Sequence, residues 1–384
     1  MKNRKKKFIA IISGGRDEIF LHKDFGMIPY FIGHNKDYEA TYAYLSNSNI
    51  NLKNTNFEKY CKLLRIGETT GDYHKDRKIV MDFIKQNIHN YDIVNFYNYG
   101  TSTYKYAYHC KKYNPKIIVW SKLDMGMGGY RHFREDNFLR KIKNYFEKFK
   151  SQYVDLFSVE TYEYYKNLKD NIMFKNRLIY FPNGVEIIEN DKISLKKENV
   201  ILHVARMGSE AKNSELLVKA LDKVRPEIIK NWKVYLIGTY TDEFKSFLDS
   251  HLRKNANLKQ NIILKGEIRD RELLYRYYSK SKIFILTSRH ESFGIAALEA
   301  LYHKNYLLLS NYGLVVNDLI DNGRYGKVID SFDANIWAKE IEQTILDENV
   351  TEKVKDARYF VLNRFDYENN VGKLINKINA LMKS

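Results

Sequence analysis

Proline and cysteine are scarce in this 384-residue chain. The 4 prolines and 19 glycines exclude a collagen-like or linker-rich protein. The two cysteines, Cys61 and Cys110, have no CxxC spacing and no histidine cluster nearby. That supports neither a disulfide framework nor a structural zinc site, and a reducing cytosol is the expected setting. No apolar run approaches the ~20 residues of a spanning helix, so any membrane contact is expected to be peripheral. The basic start followed by Phe8-Ile9-Ala10-Ile11-Ile12 superficially looks like a signal peptide, but the run is short and ends at Ser13-Gly14-Gly15. It reads as a first buried strand.

What is present is a folded composition, 44% hydrophobic and 29% charged, in a chain long enough for two domains. Against 47 acidic residues stand 64 Lys and Arg, a formal +17. Such a balance points to an anionic partner: nucleic acid, a membrane surface or a phosphorylated substrate.

Short apolar, β-branched runs alternate with amphipathic stretches, the mark of α/β layering with a mostly parallel sheet. The predicted strands of the first half are 8–12, 27–32, 91–97, 116–121, 153–158 and 178–181. Those of the second half are 200–204, 233–237, 262–265, 282–287, 306–309 and 326–329, with helices predicted at 214–224 and 269–278. Two sheets of this kind imply two Rossmann-like domains, joined at Pro182-Asn183-Gly184 and the polar stretch that follows. Residues 1–184 hold 32 Lys and Arg against 19 acids, a net +13, while the remainder is only +4. Much of the excess lies in 131–150, where Phe138, Ile142, Tyr145, Phe146 and Phe149 recur at helical spacing, interleaved with Arg134, Arg140, Lys141, Lys143, Lys148 and Lys150. This is either an ordinary core-facing helix with a solvated charged side or a surface for anionic lipid; nucleic acid is a weaker third reading.

The densest chemical signal is the run from Lys282 to Glu299. A buried strand enters a tight turn containing Glu291 and then a helix opened by Gly294, presenting backbone N–H groups at the sheet's carboxyl edge. Glu299 follows eight positions after Glu291. Carboxylates at both places can accept hydrogen bonds from neighbouring sugar hydroxyls.

In the context Ser288-Arg289-His290-Glu291-Ser292-Phe293-Gly294, the Glu291 and Glu299 pair resembles the E-x7-E motif of GT-B glycosyltransferases, in particular retaining glycosyltransferase family 4, also called group 1. Leu202-His203-Val204-Ala205-Arg206 with Lys212-Asn213 resembles the strand, loop and helix that open the family's donor domain. Tyr235 to Gly238, Leu264-Lys265-Gly266, Ser310 to Gly313 and Asn322-Gly323 match further segments in order. The resemblance implies an α/β GT-B fold, two Rossmann-like domains facing each other across a cleft. Its boundaries would be 1–184 for the acceptor side, 185–363 for the donor domain, and a C-terminal helix at about 364–384 returning to the first domain.

The resemblance also assigns roles. Arg206 and Lys212 would hold the donor diphosphate, with the Gly14–Gly15 loop approaching it and Gly266 preceding the nucleobase pocket. Glu299 would take the ribose hydroxyls. Glu291 would take the hydroxyls of the transferred sugar, helped by the backbone of Phe293, Gly294 and Ile295. No metal or cofactor is implied beyond the nucleotide-sugar substrate, and the chain has no Asp-x-Asp triplet. Where the family commonly carries a histidine, this chain reads Ser121-Lys122-Leu123-Asp124, so Lys122 and Asp124 become candidates for an active-site cation and carboxylate. His203 reads as structural, and His290 as an equal candidate for lining the site.

The expected activity is a metal-independent, retaining transfer of a hexose or N-acetylhexosamine from a nucleotide-diphosphate sugar, UDP-sugar favoured. The expected acceptor is a saccharide or lipid-linked molecule in bacterial surface-glycan synthesis. The expected location is cytoplasmic, peripheral on the inner face of the plasma membrane, in contact with anionic lipid and not nucleic acid. Two rivals remain: a non-catalytic GT-B subunit that binds acceptor or stabilises a transferase, and a GT-B nucleotide-sugar epimerase.

Overall fold

The structure, a computed structural model, describes residues 4–15, 18–50, 56–134, 136–185 and 196–383. Two units divide the chain, Met1–Glu186 with Asp366–Ser384, and Ile187–Phe365.

The first unit is built on a parallel sheet of seven strands in the order β3-β2-β1-β4-β5-β6-β7. These are β1 Lys6–Gly15, β2 Tyr38–Leu45, β3 Cys61–Gly67, β4 Ile93–Tyr97, β5 Ile118–Lys122, β6 Leu156–Val159 and β7 Leu178–Tyr180. Its helices are α1 Asp24–His34, α2 Phe57–Tyr60, α3 Tyr73–Asn87, α4 Thr101–Tyr113, α5 Met127–Phe133, α6 Phe138–Lys150 and α7 Tyr162–Leu168. The central strands β4, β5 and β6 are buried on both faces, which is why they read as continuous apolar runs. Phe8, Ile93, Ile118, Trp120 and Leu156 lie in one core with Met27, Ile28 and Ile32 of α1.

Segment 27–32 is therefore a correction: it is helix, not strand. Met27, Ile28, Pro29 and Ile32 are all buried within α1, so the helix is apolar over most of its surface there. A short apolar run of that kind carries no periodicity that separates helix from strand. Pro29 sits inside the helix. Strands β2 and β3 fall in segments where Thr, Ala, Lys and Arg dilute the apolar pattern.

The second unit carries six parallel strands in the order β10-β9-β8-β11-β12-β13: β8 Glu198–Val204, β9 Lys233–Ile237, β10 Ile262–Gly266, β11 Ser281–Leu286, β12 Tyr306–Ser310 and β13 Gly326–Ile329. Around it lie α8 Ser214–Leu221, α9 Pro226–Ile229, α10 Asp242–Lys254, α11 Ala256–Lys259, α12 Arg271–Lys280, α13 Ile295–Tyr302, α14 Val315–Leu319, α15 Ala334–Leu346 and α16 Ala357–Phe365. Ile201, Val234, Ile283, Ile285 and Leu308 share a core with Leu217 of α8 and Trp337 of α15. Strand β11 pairs with β8 on one side and β12 on the other, so the order reverses around β8 and β11 and opens a crevice at their carboxyl ends.

The last helix, α17 Tyr367–Leu381, belongs to the first unit. Tyr367, Val371, Leu374, Ile375 and Ile378 join that unit's core, and the Tyr38 hydroxyl donates to Asn379 Oδ1 at 2.8 Å. Of the polar stretch expected at the join, 186–195 lie outside the described residues. Among the described residues no helix is long and apolar enough to cross a membrane.

Candidate active site

At the carboxyl edge of the second sheet, the loop after β8 meets the loop after β11. The Arg289 amide donates to the Ala211 carbonyl at 2.8 Å, and the Thr287 hydroxyl donates to the Asn213 carbonyl at 2.9 Å. These bonds fix the loop that carries Lys212 against the loop that carries Glu291. Lys212 Nζ donates to Glu291 Oε1, which also accepts from Ser288 Oγ at 2.8 Å. The Lys212 and Glu291 side chains are 18% and 11% exposed, so the pair is screened from bulk water yet still open to a ligand. Arg206 is exposed at the end of β8, in no ion pair among the described residues.

Helix α13 begins directly beyond this pair. Its N-cap, Gly294, has φ 90°, and a Cβ there would come within 2.6 Å of the Tyr312 hydroxyl, so backbone conformation and space both require glycine. No side chain caps the helix, whose first turn follows the Glu291 loop directly in the chain. Phe293 contributes only backbone here, because its ring is buried against Phe365. Ile295 opens the helix. Tyr312 is fully buried; burial, and then the nearby Glu291 charge, hold its phenol well above the ordinary range.

The second glutamate is held just as firmly. Glu299 Oε1 is paired with Arg271, and Oε2 accepts from the Tyr278 hydroxyl at 3.0 Å. Burial and the Glu299 charge push the Tyr278 phenol well above its usual value. Arg271 also donates to the Tyr275 hydroxyl at 2.6 Å and lies over that ring at 4.6 Å. Sequence reading did not pick out Arg271, Tyr275 or Tyr278. Their signal was available: they sit at i, i+4 and i+7, on one face of α12. Gly266 ends β10 with φ 72°, a left-handed conformation that favours glycine.

His203 is fully buried, Nδ1 2.8 Å from the Ile285 carbonyl and Nε2 2.8 Å from Ser214 Oγ, and burial lowers its pKa to about 4. It is a neutral tie between β8, β11 and α8. His290 stands in the Glu291 loop, its amide 3.3 Å from the Ala211 carbonyl.

In the first unit, Gly14 and Gly15 end β1; beyond their backbone, their surroundings lie outside the described residues. Lys122 is fully buried, with Nζ 3.0 Å from Asp24 and 2.6 Å from Glu160. Burial opposes its charge, but the Asp24, Glu160 and Asp124 carboxylates outweigh it and raise the pKa. Lys122 is thus the centre of a sealed ion cluster, not an open cation. Glu160 also accepts the amides of Asp124 at 2.9 Å and Met125 at 3.1 Å, holding the loop after β5. Asp124, at φ 44°, is half-buried on that loop.

Fold and site define a class. Two Rossmann-like parallel-sheet units, with one glutamate in the loop before a helix of the second and another within that helix, are the architecture of GT-B glycosyltransferases. Residues 185–361 match the family described as glycosyl transferases group 1. The chain is 28% identical over 139 residues to the lipopolysaccharide core biosynthesis mannosyltransferase LpcC of Rhizobium leguminosarum bv. viciae, covering 35% of this chain and 38% of that protein. It is 21% identical over 195 residues to the poly(ribitol-phosphate) alpha-N-acetylglucosaminyltransferase of Staphylococcus aureus strain COL, covering 50% and 38%. The matched region thus spans well under half the length of both relatives. Among solved structures, HepE of Anabaena in complex with UDP matches with a TM-score of 0.72 at 14% identity, over 98% of this chain and 100% of that one. Sucrose-phosphate synthase of Thermosynechococcus elongatus matches with the same score at 16% identity and the same coverage. At such identities the structural likeness shows the fold.

Proposed function

We propose that this chain transfers a hexose or N-acetylhexosamine from a nucleotide-diphosphate sugar, with UDP-sugars favoured, to a saccharide or lipid-linked acceptor in bacterial surface-glycan synthesis. The observation that carries the reading is the Lys212–Glu291 pair, set before the uncapped amino end of α13. A cation beside free amides suits a diphosphate, and a carboxylate beside both suits sugar hydroxyls. The named activities of the mannosyltransferase and N-acetylglucosaminyltransferase relatives, and the UDP bound to HepE, support the same chemistry.

In this reading the donor diphosphate replaces Glu291 as the anion on Lys212, with Arg206 and the backbone of Gly14 and Gly15 as further donors. That exchange frees a Glu291 oxygen to accept from the transferred sugar. Glu299 accepts from the ribose, held in place by Arg271 and Tyr278. The sugar C1–O bond to the diphosphate breaks while the acceptor oxygen bonds C1 on the same face, and a leaving phosphate oxygen takes the acceptor proton. Configuration is retained, and the developing charge falls on Arg206, Lys212 and the helix end without a metal ion.

Transfer assays on Glu291→Ala and Lys212→Ala test the assignment. Turnover is expected to fall by about 10²–10³-fold in each, the usual cost of removing one preorganised electrostatic contact. Undiminished turnover in both overturns it. A thermal-shift screen against UDP-, GDP-, ADP- and dTDP-sugars names the base, since a tight donor raises Tm by mass action.

A further inference from the structure

Helix α6 is mounted inside out. It packs on its own unit through polar residues: Asn144 is buried and donates to the Phe133 carbonyl at 2.7 Å, and Arg140 donates to the Arg131 carbonyl at 3.0 Å. Its apolar side chains face away. Phe138, Leu139, Ile142, Tyr145, Phe146 and Phe149 are between 40% and 76% exposed. At about 100° per residue these six fall within an arc of roughly 120°, opposite Asn144. The expectation of a core-facing helix in this stretch is therefore corrected: among the described residues, nothing in its own unit covers the apolar face.

The charges are placed with equal order. Lys143 and Lys150 border one side of the apolar arc, and Lys141 and Lys148 border the other; the helix's one acid, Glu147, projects between them and the packing face. Long cationic side chains along both edges of an apolar stripe can leave their ammonium groups among lipid phosphates while their stems and the aromatic rings enter the acyl boundary. A second copy of the helix is a poor occupant, because packing stripe against stripe would bring rows of lysines together. A contiguous exposed apolar patch of this kind marks an interaction surface, and its cationic borders choose an anionic one.

We propose that α6 docks this chain on the surface of an anionic lipid bilayer, lying in the interface plane with Phe138, Ile142, Phe146 and Phe149 as the inserted anchors. The inference stands apart from the donor site, since vesicle binding is read with no nucleotide sugar present.

The test is flotation of the purified full chain with vesicles of phosphatidylglycerol and phosphatidylcholine, or of phosphatidylcholine alone. The chain is expected to float with the anionic vesicles, less as salt rises, and poorly with the neutral ones. Lys141→Gln with Lys148→Gln is expected to lower the partition coefficient about 25-fold, about fivefold per lysine. Phe146→Ser with Phe149→Ser is expected to lower it at least tenfold. Circular dichroism and the nucleotide-sugar thermal shift should stay as in the wild type, because these side chains are exposed and are none of the proposed donor contacts. Absent binding, equal binding to neutral vesicles, or unchanged binding by both variants overturns the proposal. So does a phenylalanine variant that turns a dimer into a monomer while vesicle binding persists, which would make a second copy the occupant.

Discussion

Each unit places a lysine against a glutamate near the carboxyl edge of its sheet, and the two lysines do opposite work. Lys212 in the second unit is partly exposed beside a helix end with no side-chain cap, so its pairing with Glu291 can be exchanged for a ligand anion. Lys122 in the first unit is sealed between Asp24 and Glu160, so its pairing is structural. What separates a site from a strut is what a ligand can reach, not which residues are present. The surplus charge follows the same division: near balance in the unit with the paired site, and a large excess in the unit that displays α6.

The sharpest way to break this comparison is to remove each lysine. Lys122→Met leaves two buried carboxylates uncompensated and is expected to cost about 3–5 kcal/mol in denaturant unfolding. Lys212→Met should leave stability nearly unchanged and act on donor affinity. Equal stability losses would erase the distinction.

Next in size is the acid response of the second unit. Burial lowers His203 to about 4 and His303 to about 3, both below the ordinary 6.5. Between those values the unfolded chain binds protons that the folded one does not, so stability falls as pH drops from 6.5 toward 4. The slope is about 1.4 kcal/mol per pH unit for each histidine once the unfolded form is protonated. Urea unfolding across that window should show this slope, and His203→Gln should remove about half of it. A flat profile would mean that the two rings are not held neutral.

The smallest effect concerns the support of Glu299. Arg271→Ala should raise KM for the nucleotide sugar by about tenfold with little change in kcat, because in the proposed reading Arg271 orients a carboxylate that binds the ribose equally in ground and transition states. A loss confined to kcat would place Arg271 at the reacting centre instead.

The sequence disclosed the second unit better than the first for a physical reason. Strands β8 to β13 are short Val, Ile and Leu runs bounded by turns, whereas β2 and β3 mix Tyr, Thr, Ala, Lys and Arg, and the buried start of α1 imitates a strand. Lys212, Glu291 and Glu299 were singled out through the family resemblance that their order and spacing carry. That Ser288, Arg271 and Tyr278 are their partners was not legible, since the shared face of α12 does not say which loops and helices it packs against. For α6 the periodicity gave the apolar face but not its direction, because no pattern within one helix records what covers it.

The central claim is that the Lys212–Glu291 pair is a donor site. Its most direct test is calorimetric titration of the wild type and Lys212→Ala with the nucleotide sugar that shifts Tm most. Saturable binding by the wild type, weakened at least tenfold in the variant, is the predicted result. Equal affinity in the two proteins would contradict it.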